Sequence, residues 1–168
     1  KQGNIMLIVE TGAIVAGANC YISLVDARAK AIELGVTLPT LDVDADAAII
    51  NGTQYVDYKQ YSGNRVSIDQ TLDWPRTKAS ANGFTIPDTT IPLAVINASV
   101  LAAATSATLF VNDNGKQIEE NRVEGAVTQR FFENTSANKG EMKVTRADAL
   151  LKPYLLNGGY FNNLMGVV

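Results

Sequence analysis

Pro92 opens a run, Leu93–Thr108, that is apolar around most of a helical surface. Proline suits the first residue of a helix, because its missing N–H needs no partner there and its φ is already set. Leu93, Val95, Ile96, Val100, Leu101 and Ala104 are not confined to one stripe. A helix of that kind must be buried on most sides. It is therefore the central helix of a small domain, or one that also packs against another subunit.

Caps and breakers place the other elements around it. Ser23, with Asp26 three residues on, approximates a capping box for a helix over Leu24–Leu34, and Gly35 supplies its C′ residue. Leu24, Ala27, Ala31 and Leu34 share one face of that helix. Ile5–Val9 reads as a short strand. Asp42 or Asp44 is placed to cap a second helix over Ala45–Tyr58, with a stripe of Ala45, Ala48, Ile49 and Val56. Gly52 in its middle costs about 1 kcal/mol relative to alanine. Ser67 is placed to cap a single helical turn, and Pro75 forces Trp74–Thr77 into extended chain. Asn82-Gly83 marks a turn. Ile118–Glu124 and Ala126–Glu133 read as a β-hairpin, and Thr145 as the cap of a short helix over Arg146–Leu151 that Pro153 curtails. The expected fold is mainly α: a small helical bundle over residues 1–155 with a β-hairpin inserted at about 118–133, followed by an extended C-terminal arm over 156–168.

Composition narrows function. The chain has no histidine, which removes the commonest general base, the usual catalytic zinc ligand and every Ser-His-Asp or Cys-His arrangement. Its 14 Lys and Arg against 17 Asp and Glu leave a net charge of −3, and the charges are scattered. Dedicated nucleic-acid binders gain affinity by neutralising phosphates, so this chain lacks their footprint. One cysteine, Cys20, excludes an internal disulfide, and its apolar neighbours suit a small buried hydrophobe. Asp42, Asp44 and Asp46 have the spacing of a calcium-loop start, but Ala47 stands where glycine is needed and Thr53 where the closing Glu belongs. There is no phosphate-binding loop, no Rossmann fingerprint and no apolar run able to span a bilayer. No catalytic residue, metal site, cofactor or membrane contact is expected. Ile5–Val9 is too short for a signal peptide, and Met6 offers a natural start with Lys1–Ile5 as leader or extension.

Two segments carry the remaining interest. In Trp74-Pro75-Arg76, Trp74 could stack on a base with Arg76 on a phosphate. The preferred reading is a buried Trp that staples a loop to the core, with Arg76 bonded to nearby carbonyls or carboxylates. The last residues are apolar yet rich in glycine and asparagine, which suggests an arm that docks on another chain. Its interface candidates are Tyr154, Tyr160, Phe161, Leu164, Met165, Val167 and Val168.

The order of motifs is distinctive: Ile8–Gly12, Val15–Leu24, Thr53–Asp57, Gly63–Ser67, Gln70–Thr77, Ile86-Pro87, Ile91–Val95 and Ala149–Leu155. In these the chain resembles the tailed-phage family labelled DnaT-like and described as single-stranded-DNA-binding. Members of that family resemble head-completion adaptors, the head–tail connector subunits beneath the portal. The resemblance spans nearly the whole chain, and its Trp-Pro-Arg core is the most specific part. Cys20 stands where serine is common, Tyr61-Ser62 replaces a basic, Trp-containing stretch, and the third helix has lost most of its charges. What the resemblance implies is a homo-oligomeric ring, a dodecamer, in the virion neck, assembled in the host cytoplasm. Its partners would be the portal protein, the tail or next connector protein and, in passing, translocating double-stranded DNA. The alternative it implies is a single-stranded-DNA-binding replication accessory.

Overall fold

The computed structural model describes residues 6–105, 117–123, 127–132 and 144–156. The chain divides into two compact units. One comprises Lys1–Ser106 with Val144–Val168, and the other Ala107–Lys143. Among the described residues the fold is mainly helical with small antiparallel hairpins.

In the first unit, α1 spans Leu24–Leu34, with the Ser23 hydroxyl accepting from the Asp26 N–H at 3.2 Å and Gly35 closing it at φ 68°. Both caps lie where the sequence places them. Ala27 and Ala31 are buried, and Leu24 and Leu34 pack against the same core. The next helix, α2, runs Asp42–Asp57, three residues earlier than expected. Neither Asp42 nor Asp44 caps it. Leu41 is the N-cap without a side-chain bond, and both acids sit in the first turn, where they face the positive end of the helix dipole. The central helix, α3, spans Leu93–Ala104, with Pro92 at the cap position rather than inside. Val95 and Ala98–Ala103 are buried, and α3 packs on α1, α2 and the last helix, α4 (Thr145–Leu151). The all-round apolar surface thus marks the middle of the bundle. The stretch 106–108 lies outside the described residues.

Gly52 is buried on α2 where α3 crosses most closely. A Cβ there would stand 2.2 Å from the Ser99 carbonyl oxygen and 2.6 Å from the Ala103 nitrogen. The glycine read from sequence as a weakness in α2 is the point that lets two backbones meet. The core gathered round this crossing comprises Cys20, Ile22, Ala27, Ala31, Leu38, Ala48, Ile49, Val100 and Ala103.

Between α2 and α3 the chain makes short β pairings. Strand β1 (Asn64–Arg65) pairs antiparallel with β2 (Arg76–Thr77), and β3 (Ser80–Ala81) with β4 (Phe84–Thr85) across the Asn82-Gly83 turn. Two expected elements are smaller than read. The Ser67–Gln70 segment is a turn, with the Ser67 hydroxyl accepting from the Asp69 N–H, and Val9 makes only an isolated parallel bridge to Cys20. Helix α4 spans Thr145–Leu151. Thr145 is its first helical residue and not its cap; Val144 takes the cap position without a side-chain bond, and its N–H donates to the Tyr55 hydroxyl of α2 at 2.8 Å. A single 3₁₀ turn, Lys152–Tyr154, contains Pro153.

In the second unit, β5 (Gln117–Val123) and β6 (Val127–Phe132) form an antiparallel hairpin with a register shift between Ile118 and Glu120. This is the hairpin the sequence predicts at about 118–133.

Candidate functional site

Trp74-Pro75-Arg76 stands at the junction between α2, β2 and the 3₁₀ turn. The Trp74–Pro75 peptide is cis. Trp74 is fully buried, with Tyr61 edge-on at 5.4 Å and Tyr154 edge-on at 6.1 Å between ring centroids. Offset and edge-to-face geometry is favoured because ring edges are positive and faces negative. The indole N–H lies toward the Tyr61 hydroxyl without a well-formed hydrogen bond. Tyr154, one of the interface candidates, is half-buried against Trp74. Tyr160, Phe161, Leu164, Met165, Val167 and Val168 lie outside the described residues.

Arg76 is buried and tightly bound. Its guanidinium donates to the Ser62 carbonyl at 3.0 Å, the Gly63 carbonyl at 2.8 Å and the Asp73 carboxylate at 2.8 Å. It is also within 5.9 Å of the Tyr61 ring centre. Five fixed donors make arginine suited to gathering several acceptors at once. Here it holds the turn around Gly63 to the strand after Pro75. Neither Trp74 nor Arg76 is presented to an external base or phosphate.

Behind the indole lies a network with no local signature in the sequence. The Tyr21 hydroxyl donates to the Asp57 carboxylate and accepts from the Trp74 N–H at 3.1 Å. Asp57 also accepts from the Asp73 N–H at 3.0 Å. Burial pushes the Tyr21 hydroxyl well up, so it stays a donor. Burial, with Asp73 as a like charge nearby, pushes the Asp57 carboxyl up to about 6. Glu10 is equally hidden. It is buried and accepts from the N–H groups of Gly12, Ile14 and Val15 at 2.8–3.0 Å, pinning the segment before Cys20. Cys20 itself is fully buried, and burial pushes its thiol up to about 11, which suits an inert core residue.

The Asp57 environment predicts a pH effect. Its carboxyl binds a proton more readily folded than unfolded. The stabilising contribution is therefore complete below about pH 4 and is lost as pH rises through about 6. Thermal melts from pH 7 down to 5 should show wild-type Tm rising relative to Asp57→Asn, which keeps an acceptor but cannot titrate. Parallel curves for the two proteins would remove Asp57 as the cause.

Among the described residues of the first unit, most cations are paired with its own carboxylates. Arg28 pairs with Asp42 at 2.8 Å, Lys30 with Glu33 at 2.6 Å, Lys59 with Asp148 at 3.0 Å and Arg65 with Asp73 at 2.9 Å. Among the described residues Lys78, Arg146 and Lys152 form no ion pair, and Arg146 donates to the Leu34 carbonyl. The described residues hold no group of three acidic, Cys or His side chains able to bind a metal ion, and no helix long and apolar enough to cross a membrane. Exposed instead are large apolar side chains: Val25, Ile32, Leu41, Ile68 and the aromatic Tyr58 and Phe84.

Set against known families, residues 5–166 match the one described as "Putative DnaT-like ssDNA binding protein". No curated protein and no solved structure gives a significant match.

Proposed function

The chain belongs to this DnaT-like family, and we propose that it serves there as a non-catalytic assembly subunit, a head–tail connector protein of a tailed phage. The observation that carries this reading is the distribution of charge and apolar surface in the first unit. Among its described residues Arg28, Lys30, Lys59, Arg65 and Arg76 pair with carboxylates, which leaves few cations for a phosphate backbone, while large apolar side chains stand exposed for neighbours. A weakly acidic subunit also suits a ring through which DNA slides without sticking. In this reading the chain forms a homo-oligomeric ring in the virion neck, between the portal and the tail or next connector protein. The test is direct: purified virions should contain the chain, and particles lacking it should hold heads without attached tails. Tailed, infectious particles without the chain would end the connector reading.

A second reading is a single-stranded-DNA-binding replication accessory. The family's description favours it more directly than it favours a connector. If it holds, the stacking surfaces are not Trp74 but the exposed rings of Phe84 and Tyr58, 77% and 84% accessible. We expect binding of a fluorescent oligonucleotide to be weak and to fade steeply with salt, because a weakly acidic chain with scattered Lys and Arg cannot neutralise many phosphates in one track. Submicromolar affinity at physiological salt, lost in Phe84→Ala and Tyr58→Ala, would establish the second reading in place of the first.

A further inference from the structure

Beside the C-terminal end of α1 lies an open hollow of about 310 Å³, lined by Arg28, Ala31, Ile32, Val36, Leu38 and Pro39 among others. Ile32 on its rim is 80% exposed, and Val25, one and about nine-tenths turns earlier on α1, is also exposed. The single cation in the lining is already spent: Arg28 donates to the Thr40 carbonyl at 2.9 Å and pairs with Asp42. The hollow is therefore apolar and offers no free charge. A polyanion gains nothing there, whereas an uncharged apolar segment does.

The chain carries such a segment. After Leu156 come twelve residues, Asn157–Val168, without one charged side chain, among them Tyr160, Phe161, Leu164 and Met165. We propose that the hollow receives this segment from a second copy of the chain. The proposal rests on the assembly-subunit reading and adds where one copy holds the next.

Reach separates the aromatic anchors Tyr160 and Phe161 from the hollow of their own copy. The hollow adjoins Thr40, at the start of α2, while Leu156 is tied to the Gln60 carbonyl just past the end of α2. The 16 residues of α2 span about 24 Å. Tyr160 and Phe161 follow Leu156 by four and five residues, so they reach roughly 14–18 Å even fully extended. The two aromatic anchors therefore fall short of their own hollow, whereas Leu164, eight residues past Leu156, extends to roughly 26 Å, so the second-copy seating applies to the Tyr160–Phe161 pair. Seating them in a neighbour's hollow makes a head-to-tail contact, the kind that closes into a ring when the rotation allows.

The experiment uses full-length chains with either half of the contact disabled. Ile32→Glu and, independently, Thr37→Arg place a charge in the hollow at exposed positions, so folding is retained. Tyr160→Ser with Phe161→Ser disables the segment. Sedimentation should show wild type self-associating, and each variant alone weakened by roughly tenfold or more, the loss of about one buried apolar anchor. A mixture of the Ile32→Glu and Tyr160→Ser/Phe161→Ser chains retains one intact hollow and one intact segment per pair. It should form dimers that do not grow further. The proposal is overturned if both hollow variants associate like wild type, or if the mixture stays monomeric. The first of those results leaves the assembly reading standing. Wild type that never self-associates, but binds single-stranded DNA tightly, ends both.

Discussion

Trp74→Ala should lower stability by about 3–5 kcal/mol, the range for emptying a large aromatic site in a core. For a chain of this size that is a fall in Tm of roughly 6–20 °C. The indole is fully buried and contacts Tyr61 and Tyr154 edge-on, from parts of the chain far apart in sequence. The Trp74 backbone N–H donates to the Tyr21 hydroxyl, which in turn binds Asp57. Removing the ring therefore opens a cavity at the place where α2, β2 and the 3₁₀ turn meet, and the neighbours are too tied to collapse into it. Trp74→Phe should cost clearly less, since it keeps an aromatic edge and removes an indole N–H that lacks a well-formed partner. Differential scanning calorimetry of the three proteins checks the order. An alanine variant that melts like wild type but fails only in a binding assay would show that Trp74 serves a ligand and not the core.

The helices were legible because their signals are local. Ser23 and Gly35 bracket α1 within one residue of where the caps sit, and the all-round apolar run after Pro92 identifies α3 as the central helix. The hairpin over Gln117–Phe132 follows from two short runs about Gly125. The start of α2 is ambiguous in sequence, since aspartates suit both a cap and a first turn, and only the backbone at Leu41 separates the two. Thr145 suits a cap by residue type, but the helix boundary falls at Val144, whose N–H donates to Tyr55, 89 residues away, a contact that nothing near it in sequence announces. The burial of Trp74 and the bonding of Arg76 to carbonyls and Asp73 were legible from the Pro75 break and the scarcity of basic residues. The network behind them was not. Tyr21 lies 36 residues from Asp57 and 53 from Trp74, so no spacing rule connects them. Glu10 escaped notice for the opposite reason: its partners are backbone N–H groups, which every sequence possesses.

Gly52 tests how far helix propensity can mislead. By propensity alone Gly52→Ala strengthens α2 by about 1 kcal/mol. The structure reverses the sign. The new Cβ would lie 2.2 Å from the Ser99 oxygen, 2.6 Å from the Ala103 nitrogen and 2.9 Å from the Ala103 Cα. All three are backbone atoms of α3, so no side chain can swing aside, and the two helices must separate. Overpacking of a tight core costs about 1–3 kcal/mol and occasionally more, and contacts this short on rigid backbone belong at the upper end. The expected net result for Gly52→Ala is a loss of about 2 kcal/mol, and Gly52→Val should lose more, because it adds bulk and a β-branch that α2 tolerates poorly. Gln54→Ala, on the exposed side of the same helix, is the control and should change stability by less than about 0.5 kcal/mol. Chemical denaturation of the three variants gives the comparison. Gly52→Ala as stable as wild type, or more so, would mean that α2 and α3 do not meet through this glycine, and the crossing at the centre of the bundle would have to be redrawn.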